Sequence, residues 1–190
     1  MYRELLLGCG HKKDKRIIAP GTPRTWQNMT SVDCNDACDP DVRANLDTVE
    51  WVATWQREPN RGAMYSWSDN TYDEVHAYEV LEHLGQQGNH YSFFAFMENV
   101  WNVLKPEGVF CATTPSRFSP WLWGDPGHRR AILPETLIFL DRAEYSRQLG
   151  RTAMSDYRKD WRGDFRILHS QDDKITHSFI LQAIKPVRCE

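Results

Sequence analysis

The chain has 190 residues, 23 basic against 26 acidic side chains, and a formal net charge of -3. That is one domain's worth of chain, and 41% hydrophobic with 26% charged residues supports a packed core and argues against disorder. The slight acidity excludes the broad basic footprint of a dedicated duplex DNA binder, and no apolar run approaches the ~18–20 residues needed to span a bilayer.

Leu5-Leu6-Leu7 ends abruptly at Gly8-Cys9-Gly10, as a strand buried on both faces of a parallel sheet does. Pro20, Gly21 and Pro23 follow, so any helix after that strand is short or missing. Trp26 to Cys34 reads as a second strand ending at Asp33, Val42 to Leu46 as a short third, and Val49 to Gln56 as a short helix carrying Trp51 and Trp55. Tyr72 to Tyr78 predicts a fourth strand running into a helical turn at Glu79-Val80-Leu81-Glu82-His83-Leu84.

From Tyr91 to Leu104, Phe93, Phe94, Met97, Val100, Trp101 and Leu104 recur at the spacing of a wide buried helical stripe, which Lys105-Pro106-Glu107-Gly108 stops. Val109 to Thr114 predicts a fifth strand, and Pro134 stands where a further helix begins. Phe165–His169 and Ile175–Ile184, separated by Gln171-Asp172-Asp173-Lys174, predict a terminal antiparallel pair. The expectation is a single α/β domain over 1–190: a three-layer, Rossmann-like fold, mainly parallel, with an antiparallel strand from the C-terminal hairpin.

Ligands of an open parallel sheet bind beyond the carboxyl ends of its strands. Here those ends carry Gly8-Cys9-Gly10, Asp33, Asn45-Leu46-Asp47, Tyr78-Glu79 and Pro115-Ser116. A dinucleotide brings a pyrophosphate, and its fingerprint adds a third glycine and a helix N-terminus. His11-Lys12-Lys13-Asp14 supplies neither. S-adenosylmethionine has no phosphate; it needs close backbone approach, a carboxylate for the ribose and a slot for adenine, and the sequence favours it.

The ordered set Leu5-Leu6-Leu7-Gly8-Cys9-Gly10, Ser31-Val32-Asp33, Asp39-Pro40-Asp41-Val42, Tyr72-Asp73-Glu74-Val75, Glu79-Val80-Leu81-Glu82-His83-Leu84, Val103-Leu104-Lys105-Pro106-Glu107-Gly108 and Asp125-Pro126-Gly127-His128-Arg129 resembles the small class I S-adenosylmethionine-dependent methyltransferases. The resemblance covers about residues 3 to 145. It implies that Gly8, Cys9 and Gly10 pass beneath the methionine part of the cofactor and that Asp33 takes the ribose hydroxyls. Asn45 and Leu46 would border the adenine, and Glu79 would face the methionine end. Compared with the family pattern, the stretch from Gly10 to Asp33 is longer, Asn45 stands where an acidic residue is usual, Glu79 replaces the frequent His, and Glu107 replaces a glycine.

Beyond the cofactor, His83 reads first as a turn histidine bonded to backbone and second as a general base. Residues 116–134 form a connection long enough to serve as an acceptor lid, in which Asp125 and His128 are either an oriented acid/base pair or loop pins. Trp121 and Trp123, beside Phe118, are read first as an acceptor-binding wall and second as side chains covering the sheet edge. Glu82 reads as a structural carboxylate bonding backbone amides, and the basic runs Lys12–Arg16 and Arg158–Arg162 as solvated faces. Cys34 and Cys38 lack the companions of a zinc site, so no metal is expected, and five cysteines at irregular spacing fit a reducing compartment. With no apolar segment of signal-peptide length at the amino terminus, the chain is expected in the cytoplasm.

The function these readings predict is methyl transfer to an unidentified acceptor, with a small or sugar-like molecule placed first, nucleic acid left open, no membrane partner and no assigned oligomeric state. The alternatives are a cofactor-binding module without turnover and a nucleotide-sugar or NAD-dependent enzyme.

Overall fold

A computed structural model describes residues 1–48, 51, 53–56 and 61–189. Its nine strands form one mixed sheet in the order β5-β4-β3-β2-β1-β6-β7-β9-β8. The parallel core comprises β1 (Glu4–Leu7), β2 (Met29–Asp33), β3 (Val42–Ala44), β6 (Tyr72–Tyr78) and β7 (Leu104–Pro115). Strand β9 (Thr176–Ala183) runs antiparallel to β7, and β8 (Phe165–Asp172) antiparallel to β9, as the terminal hairpin predicts. Order reverses at β1, whose two neighbours are β2 and β6, so the carboxyl ends of these three strands flank the crevice where such sheets bind ligands.

At the other edge the sequence reading is corrected. Ala53–Trp55 forms strand β4, antiparallel to β3, and Met64–Tyr65 forms β5 beyond it. The helix expected over Val49–Gln56 is therefore absent where the chain is described; Val49, Glu50 and Val52 lie outside the described residues. Trp51 is buried, edge-on to Trp67 at 5.0 Å and tilted against Phe96 at 5.5 Å. Cross-strand pairing and this aromatic contact outweigh a weak helical period.

The two faces of the sheet are covered differently. Leu5, Leu7, Val75, Ala77, Phe110, Ala112 and Phe179 share a core with α1 (His90–Val103) and with Leu137 and Leu140 from α3 (Pro134–Ile138) and the turn after it. Each fully buried Leu, Val or Phe side chain among them contributes about 1.5–3 kcal/mol. Asn89 caps α1 by accepting from Ser92 N at 3.2 Å, and Phe93, Phe94, Phe96, Met97, Val100 and Val103 form its buried stripe. The helix stops where expected: Leu104 is extended, Glu107 takes a left-handed φ of 63°, and Gly108 sits where a Cβ would lie 3.0 Å from Lys105 O. Strand β7 begins earlier than expected because Leu104 already pairs with Tyr72. Two further short helices are α2 (Trp121–Gly124) and α4 (Arg142–Gln148).

On the opposite face, residues 11–28 cross the sheet as a strap with no helix. Ile17 and Trp26 pack against Leu6, Cys9, Cys38 and Tyr78 there. Beneath them lies a polar core that includes Lys15. Glu4 and Glu74 are register neighbours on β1 and β6, both fully buried, and the Lys15 ammonium bridges them at 2.9 and 2.8 Å with a third bond to Pro23 O at 2.8 Å. The basic run is thus not a solvated face throughout: Lys15 turns inward, its side chain 2% exposed.

The second oxygen of Glu4 accepts from Gln27 N and Asn28 N, and Tyr2 donates to Glu74. His76 bonds Glu74 through Nε2 at 2.9 Å and Tyr78 through Nδ1 at 2.7 Å, while the Tyr78 hydroxyl accepts from Arg16 N and Ile17 N. That pattern fixes the tautomer: Tyr78 donates to Nδ1, and Nε2–H donates to Glu74. Burial holds the His76 imidazole below its usual range, and the bond to Glu74 only partly offsets this.

Candidate functional site

The glycine loop at the end of β1 is built by backbone geometry. Gly8 and Gly10 have φ of 59° and 53°. A Cβ at Gly8 would lie 2.4 Å from a Val80 methyl, so only glycine lets this loop close against the end of β6. A Cβ at Gly10 would meet nothing within 4 Å, so its outer face is open. Cys9 N donates to Val32 O at 2.9 Å, and the Cys9 thiol faces inward, where burial pushes its pKa up to about 11. Cys9 therefore offers a ligand backbone and not sulfur.

Asp33 ties the end of β2 to this loop: Oδ2 accepts from Gly10 N and Oδ1 from Asn35 N, each at 2.9 Å. A carboxylate has about four lone-pair sites, so two remain for hydroxyl donors. Beyond Asp33 lies a groove of about 560 Å³ lined by Cys34, Arg43, Ala44, Asn45, Ala53 and Thr54. Asn45 is exposed on its wall and bonds Asp47 N, whereas Leu46 is buried in the main core. Two of the lining residues come from β4, the strand the sequence reading missed.

A second concentration of side chains lies at the end of β6. Glu79 is exposed, with φ 57° and its N–H bonded to Thr113 O. Glu82 is fully buried, and its backbone carbonyl receives Arg129 N at 2.7 Å and Arg130 N at 3.2 Å, docking the long connection onto the turn. Neither carboxylate oxygen makes a hydrogen bond of regular geometry, and the groups that interact with the side chain are its own backbone N–H and the Glu79 carboxyl. Burial, with the nearby Glu79 and Asp125 carboxylates, pushes the Glu82 carboxyl up to about 8.

His83 is exposed and bonds Gly127 O through Nδ1 at 3.1 Å, in line with its first reading as a backbone-bonded turn residue. His128 bonds Leu122 O through Nδ1 at 3.3 Å, and the two imidazoles meet edge to face at 4.7 Å. Asp125 Oδ2 stands 3.9 Å from His128 Nε2, within ion-pair range and beyond hydrogen-bond reach, while Oδ1 accepts from Gly127 N.

The structure thus brings His83, Asp125 and His128 together with Glu79 and Glu82. Trp121 and Trp123 stand on α2, 66% and 60% exposed, with Phe118 exposed beside them, so they are not sheet-covering core residues. Cys34 is exposed and Cys38 buried, both free.

Two residues pin the connection in a role that the sequence reading did not assign. Asp47 accepts from Gly85 N and pairs with Arg129, each at 2.5 Å. Arg130, buried against the Phe93 ring, bonds the carbonyls of Leu84, Gln86 and Asn89. Both serve partners distant in sequence, which no local pattern signals.

No protein-family model matches the chain, and no curated protein matches it. Solved structures do match. A SAM-dependent methyltransferase from Archaeoglobus fulgidus aligns over 95% of this chain and 86% of its own, at 13% identity and a TM-score of 0.50. The YcgJ protein from Bacillus subtilis aligns over 96% and 92%, at 10% identity and a TM-score of 0.52. The [4+2]-cyclase SpnF aligns over 98% of this chain and 76% of its own, at 15% identity and a TM-score of 0.51. The chain therefore has the fold of the SAM-dependent methyltransferases, a fold that also carries a cyclase. Among the described residues no helix is long and apolar enough to cross a membrane.

Proposed function

We propose that this protein binds S-adenosylmethionine and transfers its methyl group to an acceptor held beneath the 116–134 connection. The observation that carries the reading is the Gly8–Gly10 loop at the reversal of strand order, pinned to Asp33, with open space above Gly10 and a groove beyond β2 and β3. These features fit the cofactor: backbone approach at Gly8, Cys9 and Gly10, ribose hydroxyls on Asp33, adenine along Asn45 near Leu46, and the methionine end toward Glu79. They do not fit a pyrophosphate, because residues 11–28 provide no helix N-terminus behind the glycines.

When bound, the cofactor supplies a methyl group already activated by its sulfonium. The chain's own task is to hold the acceptor atom in line at ~3–3.5 Å and exclude water. Trp121 and Trp123 would provide a flat apolar wall for that acceptor, and the groups within reach of its proton would be His83, His128 and Asp125.

Calorimetric titration with S-adenosylhomocysteine tests the cofactor site. The wild-type chain should bind it, and Asp33→Ala should weaken binding about tenfold or more, since hydrogen bonds to a charged group contribute about 1.5–3 kcal/mol. Absence of binding, or affinity unchanged by the substitution, overturns the proposal. Incubation with labelled cofactor and an acceptor panel separates turnover from the second reading, a binding module alone, which the matching cyclase keeps in view.

A further inference from the structure

Two groups of side chains in the described structure gather ligand-type atoms within 4.8 Å of one another: Glu74, His76 and Cys111, and Glu82, His83 and His128. The first already contains its cation, the Lys15 ammonium, and both nitrogens of His76 are used. The second has the opposite accounting. Glu82 is 0% exposed, neither of its oxygens makes a hydrogen bond of regular geometry, and the side chain nearest it in charge is another acid, Glu79. A buried carboxyl in that state keeps its proton unless a cation displaces it.

The two histidines are already oriented for that role. Each gives Nδ1 to a backbone carbonyl, Gly127 O for His83 and Leu122 O for His128, which places the proton on Nδ1 and leaves the lone pair on Nε2. A carbonyl on the second ring nitrogen is the support that metal-ligating histidines generally have. Donors about 2.1 Å from one ion stand roughly 3–4 Å apart, so small side-chain shifts close the observed separation. The exposure of His83 gives an ion a way in.

We infer that Glu82, His83 and His128 form a binding site for a divalent first-row transition cation. Two imidazoles and one carboxylate suit zinc, manganese, iron or cobalt better than magnesium or calcium, which prefer oxygen donors alone. Three protein donors leave coordination positions open to solvent or to a ligand. One consequence rests on the methyl-transfer reading: because Gly8 packs on Val80 and His128 belongs to the 116–134 connection, those positions lie between the cofactor loop and the acceptor lid. They select an acceptor that presents an oxygen to the metal, whose charge lowers the pKa of that oxygen.

The test uses the full chain, stripped with chelator and carrying Cys34→Ser and Cys189→Ser so that the exposed thiols do not compete. Titration with Co²⁺, followed by visible absorption, and with Mn²⁺ and Zn²⁺, followed by calorimetry, should give one equivalent per chain and a raised melting temperature. His83→Ala, chosen because an exposed residue is dispensable for folding, should weaken binding about tenfold or more while leaving the metal-free melting temperature unchanged. Glu82→Gln and His128→Ala should do the same to binding.

Failure of all three ions to bind the parent chain, or binding that survives the three substitutions, overturns the inference. S-adenosylhomocysteine affinity is measured on the same samples: cofactor binding without metal binding removes only this inference, and metal binding without cofactor binding removes only the proposed function.

Discussion

Two carboxylate-histidine clusters, both on β6 or at its end, are resolved in opposite ways. Under the strap, Glu4, Glu74 and His76 lie in mid-sheet, and the chain supplies the counter-charge from Lys15 and hydrogen bonds from Tyr2, Tyr78, Gln27 and Asn28. At the end of the same strand, Glu82 is as deeply buried, faces further acids in Glu79 and Asp125, and has no cation beside it among the described residues. A buried ionic group completed from within locks one arrangement of the chain. One left incomplete is a place where something from outside is accommodated. In this fold the completed cluster is at the centre, where strands are held, and the incomplete one is at the carboxyl edge, where ligands come.

The comparison can be broken most severely at Lys15. Lys15→Met leaves Glu4 and Glu74 side by side in the interior without a cation, and removing one partner of a buried pair costs about 3–5 kcal/mol. Urea denaturation should show a loss of that size, with the strap freed from the sheet and newly sensitive to protease. A loss below about 1 kcal/mol would mean that the bridge is no stronger than a surface ion pair.

Acid tests the same cluster more gently. The buried His76 sits below its ordinary 6.5, whereas the unfolded chain takes up a proton there as pH falls through 6.5. Below that point the unfolded state holds more protons, so stability drops with falling pH, by at most about 1.4 kcal/mol per pH unit for one histidine. For Glu74, burial raises the carboxyl, but the bonds from His76, Lys15 and Tyr2 prevail and hold it below 4.5, so its contribution is lost at lower pH still. Glu4, Lys15, Tyr2, Tyr78 and Cys111 are the other ionisable groups around it. His177, also lowered by burial, adds in the same direction. Imidazole NMR should find His76 as a neutral Nε2–H tautomer at pH 7, with a titration midpoint below 6.5, and a midpoint above 6.5 would contradict the network.

The contrast also marks what a sequence displays. Continuous apolar runs such as Leu5-Leu6-Leu7 and the stripe of α1 announce their elements because the period is set by each element's own burial. The glycine loop and Asp33 were legible because strand ends are where an α/β sheet holds ligands. Strand β4 was not: three residues paired with β3, and a two-residue partner in β5, leave too short a pattern to compete with a helical spacing. Lys15 was invisible for another reason. A lysine in a charged run looks solvated, and its two carboxylates become neighbours only through the register of β1 with β6. The grouping of His83 with His128 depends likewise on how the long connection returns to the carbonyl of Glu82.

The smallest expected effect has the opposite sign and is the most discriminating. In metal-free buffer, Glu82→Leu removes a buried carboxyl that makes no hydrogen bond of regular geometry and replaces it with an apolar group of similar size. Losing an unsatisfied buried group is stabilising by about 1 kcal/mol, where the Lys15 substitution is costly. Denaturation of the variant and the parent chain, both in chelator, should give a higher midpoint for the variant with an unchanged slope. Added Mn²⁺ should then raise the midpoint of the parent and leave the variant where it was, because stabilisation by a ligand requires a native site that binds it. A variant less stable than its parent in chelator would show that Glu82 has a partner within the fold, and that the two clusters are completed in the same way.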